Sequence, residues 1–217
     1  MKHILEADSI QLEFNGRKIL SSIYLQCETG KITGLLGRNG QGKSCLMNIM
    51  YGSLPCEKSV RFDRISVRES YKRKELIRYL PQFHYLPKSL SVQRIFKDFE
   101  LEYSTFTEKF PEFIGRQKDT IGRISGGERR LVEIYIIIKS NSQFVMLDEP
   151  FTHLTPIQIE KVKLLLQEEK ENKGLFITDH IYKHVLDISD RIYVLAHGRT
   201  YLTKDITDLE RLGYVSI

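Results

Sequence analysis

The chain has 217 residues, 41% hydrophobic and 28% charged, with a formal net charge of +5; these values fit one globular domain with a sizeable core and exclude fibrous and wholly disordered classes. Its three cysteines, Cys27, Cys45 and Cys56, show no paired spacing, which argues against a disulfide framework or zinc site and for a reducing, cytoplasmic compartment. The start, Met1 to Asp8, has no apolar core of signal-peptide length, and the longest apolar run, Ile134 to Ile138, is too short to span a bilayer.

In chain order, Ile10, Leu12 and Phe14 alternate with polar residues before Asn15-Gly16, and Ile23, Leu25 and Cys27 do so after it. This pattern predicts antiparallel strands joined by a turn. The apolar run Ile32 to Leu36 then leads into Gly37-Arg38-Asn39-Gly40-Gln41-Gly42-Lys43-Ser44, followed by Cys45, Leu46, Ile49 and Met50. It reads as strand, loop and helix, with the helix ending near Gly52. Glycines let such a loop turn its backbone N–H groups inward, and the helix N-terminus adds partial positive charge, so the hollow suits a polyphosphate. Lys43 is placed to reach the β and γ phosphates as a point charge, and the Ser44 hydroxyl to ligate the Mg²⁺ that neutralises them. The motif predicts nucleotide binding but not what is done with the nucleotide.

Short β-like pieces, Ser59 to Phe62, Ile65 to Val67 and Ile77 to Leu80, surround a basic run of Arg61, Arg64, Arg68, Lys72, Arg73 and Lys74 that includes only Asp63 and Glu69 as acids. Such a run is either a solvated face or a contact for an anionic partner. After Pro87, Val92, Ile95, Phe96 and Phe99 recur at helical spacing, and Phe106, Phe110, Phe113 and Ile114 follow more loosely. They predict a small helical insert at about residues 84–139, set into a core of about residues 1–82 and 140–217. Ser125 and Glu128, just before Leu131, Val132, Ile134 and Tyr135, carry the signature of a capping box, so a helix begins there.

Phe144 to Leu147 is a continuous apolar run typical of a strand covered on both faces, and it ends in Asp148-Glu149-Pro150. Two carboxylates thus sit at the edge where open parallel sheets bind ligands. A helix from about Pro156 to Lys173 carries Ile159, Val162, Leu165 and Leu166 on one face; the strand Leu175 to Ile177 runs into Thr178-Asp179-His180. Strands at Ile192 to Leu195 and Thr200 to Leu202 flank His197-Gly198. His180 and His184 share a helix-face spacing but lack the third ligand a metal centre needs.

Five separated pieces stand in one order: the phosphate loop, Tyr79-Leu80-Pro81-Gln82, Ile124-Ser125-Gly126-Gly127-Glu128, the strand ending in Asp148-Glu149-Pro150, and Thr178-Asp179-His180. Together they closely resemble the ATP-binding cassette (ABC) ATPases, the engines of ABC transporters, over nearly the whole chain. The resemblance implies an α/β fold: a P-loop NTPase core of mostly parallel sheet flanked by helices, an N-terminal antiparallel β subdomain and a small inserted α-helical subdomain. It implies that Phe14 stacks on adenine, that Gly37 to Cys45 hold the phosphates of ATP, and that Ser44, Gln82 and Asp148 serve Mg²⁺. Glu149 is placed as the general base for the attacking water, Gln82 as the sensor of metal and water, and His180 as the contact to the γ-phosphate. Ser125, Gly126, Gly127 and Glu128 are placed to bind the γ-phosphate of ATP held by a second copy, so that two cassettes close head to tail around two nucleotides. Three positions depart from the family pattern: Glu128 replaces Gln, Thr155 replaces Asp, and Cys45 replaces Thr or Ser.

The implied function is that of an ATP-hydrolysing homodimeric subunit, peripheral on the cytoplasmic face of the cell membrane, whose integral-membrane partner is a separate chain. Gln82 to Lys88, with Phe83 and Tyr85 as aromatic anchors, is the expected docking stretch. A second reading is an ABC-type ATPase acting on a soluble partner, such as an iron–sulfur assembly or nucleic-acid-associated factor. Nucleic acid itself is not expected: no room exists before Ser125 for the coiled coil of the DNA-repair relatives, and one cassette does not match the two of the translation factors. A nucleotide-binding regulator without turnover is disfavoured by the presence of Gln82, Glu149 and His180. Neither the transported substrate nor the direction of transport is legible.

Overall fold

The computed structural model describes residues 2–203, 206–211 and 214; the extreme ends of the predicted core, residue 1 and residues 215–217, lie outside them. The alternating N-terminal pattern forms a long hairpin, β1 (Ile4–Phe14) and β2 (Arg17–Glu28). Asn15 and Gly16 close it with φ of 49° and 78°, the left-handed pair that matches the twist of two strands joined by two residues. The strands run further back than the clearest alternation because Leu5, Ala7 and Leu20 also enter the core. Next come β3 (Ile32–Leu36), α1 (Lys43–Tyr51), which ends on left-handed Gly52, and the short strands β4 (Glu57–Phe62) and β5 (Ile65–Ser66). After β6 (Ile77–Leu80) the chain forms α2 (Val92–Asp98), α3 (Tyr103–Lys109) and α4 (Gly126–Lys139). It closes with β7 (Phe144–Asp148), α5 (Pro156–Glu169), β8 (Gly174–Thr178), α6 (Tyr182–Ile188), β9 (Arg191–Ala196), β10 (Arg199–Thr203) and α7 (Ile206–Arg211).

All ten strands join one sheet in the order β5-β4-β1-β2-β10-β9-β3-β8-β7-β6. From β9 to β6 the pairing is parallel, and from β5 to β2 it is antiparallel; β10 links the two parts, antiparallel to β9 and parallel to β2 where Arg199 faces Ser22. The structure therefore has the mixed α/β fold that the resemblance implies. The continuous apolar runs are explained by a sheet buried on both faces. Val145 and Leu147, Leu175 and Ile177, and Val194 and Ala196 point into the core that holds α4, α5 and α6. Their neighbours Phe144, Met146, Phe176, Tyr193 and Leu195 point into a second core with Leu46, Met47, Ile49 and Met50 of α1 and with Leu5, Ala7 and Leu25 of the hairpin. Helix α1 is thus gripped between the hairpin layer and the central sheet, and the loop before it is held from both sides.

The helical segment has its own centre of packing. The Phe106 ring lies 5.0 Å from Phe96, 5.1 Å from Phe110, 4.7 Å from Phe113 and 4.9 Å from Tyr135 of α4. Helix α4 belongs to this aromatic cluster and, through Leu131, Ile134 and Ile138, to the core beneath β7. Half of the basic run is neutralised by neighbours: Arg61 pairs with Asp8 and Glu6, Lys72 with Glu69, and Arg73 with Glu75. Cys27, Cys45 and Cys56 are all free thiols, and burial pushes that of Cys27 up to about 12, so it stays protonated and inert. Replacing Phe106 by Ala is expected to destabilise the fold by about 3–5 kcal/mol through the cavity it leaves, measured by denaturant unfolding; a loss below about 1 kcal/mol would show that the cluster is not a stability centre.

Candidate functional site

The phosphate loop is shaped by Gly42, which takes φ of 97° as the N-cap of α1; a Cβ there would lie 2.9 Å from Ile19 Cγ2, so both backbone and space demand glycine. Lys43 is buried and donates from Nζ to Gly37 O at 2.7 Å and Arg38 O at 3.4 Å. Burial pushes its ammonium below the usual lysine range, against the pull of Glu149, Asp148 and Asp179. An ammonium held only by neutral carbonyls is readily drawn off by an anion, because charge-assisted bonds are the stronger.

The end of β7 supplies the carboxylates. Asp148 is buried; it accepts from the Tyr79 hydroxyl at 3.0 Å, and burial raises its pKa above the usual carboxylate range. In a regular strand Glu149 would point to the opposite face. Instead it adopts φ of 49°, its N–H donates to Thr178 O at 2.8 Å, and its carboxylate enters the same cleft as the loop. Such a conformation costs a non-glycine residue on the order of 1–3 kcal/mol and persists because the surroundings fix it. Glu149 Oε2 accepts from Gln82 Nε2 at 2.9 Å and lies 3.4 Å from His180 Nδ1. Three residues far apart in sequence, on the ends of β6, β7 and β8, thus meet at one carboxylate.

The cleft has a volume of about 550 Å³; Asn39, Gly40, Gly42, Lys43, Ser44 and Cys45 form its floor, Gln82, Glu149 and His180 one wall, and Phe14 and Ile19 its mouth. Phe14 is 48% exposed at the end of β1, a ring standing free beside the opening. Gly37, Arg38 and Gln41 do not line this cleft. Gly37 and Arg38 offer their carbonyls to Lys43, whereas Arg38 and Gln41 border a smaller cavity of about 160 Å³ with His197 and Tyr214.

Ser125, Gly126, Gly127 and Glu128 also lie outside the cleft, at the start of α4. The capping box is complete: the Ser125 hydroxyl accepts from Glu128 N at 3.2 Å and Glu128 Oε2 accepts from Ser125 N at 2.8 Å. A Cβ on Gly127 would sit 2.7 Å from His153 O, so the loop after β7 packs against this turn only because a glycine is there. Thr155, where the family has Asp, caps α5 in a second box with Gln158.

Other residues were not singled out by the sequence. Arg130 is buried on α4 and donates to Pro81 O at 2.9 Å, Asp148 O at 2.8 Å and Glu149 O at 2.9 Å, tying the segment before Gln82 to the end of β7. A charged pair, Arg129-Arg130, opening an apolar helix face was the signal available for it. Asp179 is buried and accepts from Phe151 N at 3.2 Å and Ile181 N at 2.9 Å, joining the loops after β7 and β8. Within the expected docking stretch, Tyr85 packs inward with its hydroxyl buried, whereas Phe83 is 71% exposed. His184 packs edge-on against Phe151 at 5.4 Å, away from the carboxylate that His180 meets.

The family described as "ABC transporter" matches residues 20–152. Among relatives, the lipopolysaccharide export system ATP-binding protein LptB of Haemophilus influenzae is 31% identical over 216 residues, spanning 92% of this chain and 90% of its own length. The protein of the same name in Escherichia coli is 31% identical over 210 residues, spanning 89% of this chain and 87% of its own. Among solved structures, the ATP-binding subunit of an ABC transporter superposes with a TM-score of 0.81 at 18% identity, covering 97% of this chain and 94% of that one.

Arg130→Met keeps the buried stem but strands three carbonyls. It is expected to destabilise the protein by about 2–4 kcal/mol and to speed amide exchange around Gln82 and Glu149 while sparing the β1–β2 hairpin. Unchanged exchange at both loops would remove Arg130 from the site's framework.

Proposed function

The chain belongs to the ABC transporter family as an ATP-binding, ATP-hydrolysing subunit, and on that premise we propose that Glu149 is its general base, oriented by Gln82 and His180 against a nucleotide lying on the phosphate loop. The observation that carries this reading is the meeting of Gln82 Nε2 and His180 Nδ1 at Glu149 Oε2, in the cleft floored by Lys43 and Ser44. Gln82 spends its amide nitrogen on Glu149 and keeps its carbonyl oxygen as an acceptor. Glu149 takes the proton of the attacking water, and Lys43 leaves Gly37 O for the phosphates. Phe14 stacks on the adenine, and His180 meets the γ-phosphate.

The residues fit Mg²⁺. Ser44, Gln82 and Asp148 offer only oxygen donors, and a hard cation that keeps several waters and phosphate oxygens needs no more. Among the described residues no cluster of three His, Cys, Asp or Glu side chains suits a transition metal. Held by these residues, Mg²⁺ would supply positive charge to offset that of the phosphates during transfer. Asp148 and Ser44 hold their oxygens in place for it.

The capped start of α4, outside its own cleft, serves ATP on a second copy; bare N–H groups at Gly126 and Gly127 suit an incoming phosphate. We assign the helical segment, about residues 84–139, as the arm that carries this end, and Phe83 beside it as the anchor for a membrane subunit. Among the described residues no helix is long and apolar enough to cross a membrane, so the translocation path belongs to that partner and the chain works at the cytoplasmic face. The names of the relatives favour export. Acidic neighbours neutralise Arg61, Lys72 and Arg73, half of the basic run, which weakens the case for a nucleic-acid partner.

Glu149→Gln is expected to cut phosphate release by about a hundredfold or more while ATP with Mg²⁺ shifts the protein from monomer to dimer in light scattering. A rate near wild type, or a variant that stays monomeric with and without its membrane partner, would overturn the assignment.

A further inference from the structure

Asp148 does not stand alone at the end of β7. Tyr79 lies on the adjacent parallel strand opposite Met146, two residues before Asp148 and on the same face. A phenol reaches along that face by about two residues' rise, roughly 6.6 Å, which brings the Tyr79 hydroxyl to 3.0 Å from Asp148 Oδ2. Its ring is held 5.3 Å from that of Tyr51 on α1. Asn48 sits one helical turn after Ser44, on the same face of α1, and its Nδ2 donates to Ser44 O at 2.8 Å.

Two of the three assigned metal ligands are thus braced from behind, Asp148 through its carboxylate by Tyr79 and Ser44 through its backbone carbonyl by Asn48. We propose that Tyr79, its ring held against Tyr51, is a positioning residue that orients Asp148 for the divalent cation; this rests on the metal reading given above. Tyr79 keeps Oδ2 engaged and leaves Oδ1 as the oxygen with which Asp148 would serve the cation. Without the phenol, Asp148 Oδ2 loses its hydrogen-bond donor.

The test uses the purified full chain with ADP and Mn²⁺ as a paramagnetic probe, free Mn²⁺ being read by electron paramagnetic resonance. Tyr79→Phe keeps the ring against Tyr51 and removes only the hydroxyl. It is expected to weaken Mn²⁺ binding to the ADP complex by about tenfold or more, with ADP affinity in EDTA unchanged within about twofold. A purely structural role would weaken metal-free ADP binding in proportion, and that result overturns the proposal. Asp148→Asn separates the two layers of the argument. If it loses Mn²⁺ while Tyr79→Phe binds like wild type, the positioning role alone falls; if Asp148→Asn also binds like wild type, the metal reading falls and takes this inference with it.

Discussion

The site depends on one constraint: the chain leaving β7 must bring the Glu149 carboxylate, next in sequence to buried Asp148, into the cleft of the phosphate loop. A continuing strand is at odds with this, since it would turn Glu149 to the face opposite Asp148. The left-handed turn at Glu149 resolves the conflict, and it is held by the bond from Glu149 N to Thr178 O and by the Arg130 guanidinium on the carbonyls of Asp148 and Glu149. Because the same guanidinium also binds Pro81 O, the segment that delivers Gln82 is fixed relative to the turn. A buried cation on three carbonyls is a stiff joint, because each lost bond would leave a polar group without water.

A second constraint places the phosphate loop opposite that turn. Helix α1 has no polar face to spare: Leu46, Met47, Ile49 and Met50 are all consumed by the core between hairpin and sheet. A helix gripped this way holds its N-terminus still, so Lys43 and Ser44 start from a fixed origin. Asn48 braces that origin through Ser44 O, and Tyr79 holds Asp148 at the sheet edge. Two hydrogen-bonded joints, Arg130 and Asp179, tie the three loops after β6, β7 and β8 that the chain order keeps far apart.

The same reasoning explains what the departures from the family pattern leave intact. Thr155 performs as a helix cap, a role open to Thr and Asp alike. Glu128 completes the box with Ser125, as Gln also would. Cys45 lines the cleft, and burial raises its pKa, so it remains a neutral thiol beside Ser44.

Local chemistry alone determined much of this protein. The glycine spacing from Gly37 to Gly42, the Asn15-Gly16 turn, the Ser125–Glu128 box and the apolar runs at Ile32 and Phe144 each act over a few residues, so their meaning is written in order. The sequence also showed that Asp148 and Glu149 stand at a strand end. Only the tertiary structure decided which distant groups meet there. Arg130, Tyr79 and Asp179 looked like ordinary polar residues because their partners are backbone carbonyls, a carboxylate and amides brought close by the parallel sheet, and no spacing rule encodes such contacts. The direction of Tyr85 was hidden for the same reason: an aromatic next to an exposed one reads as surface until the core behind it is known, and burial is a property of what packs against a side chain.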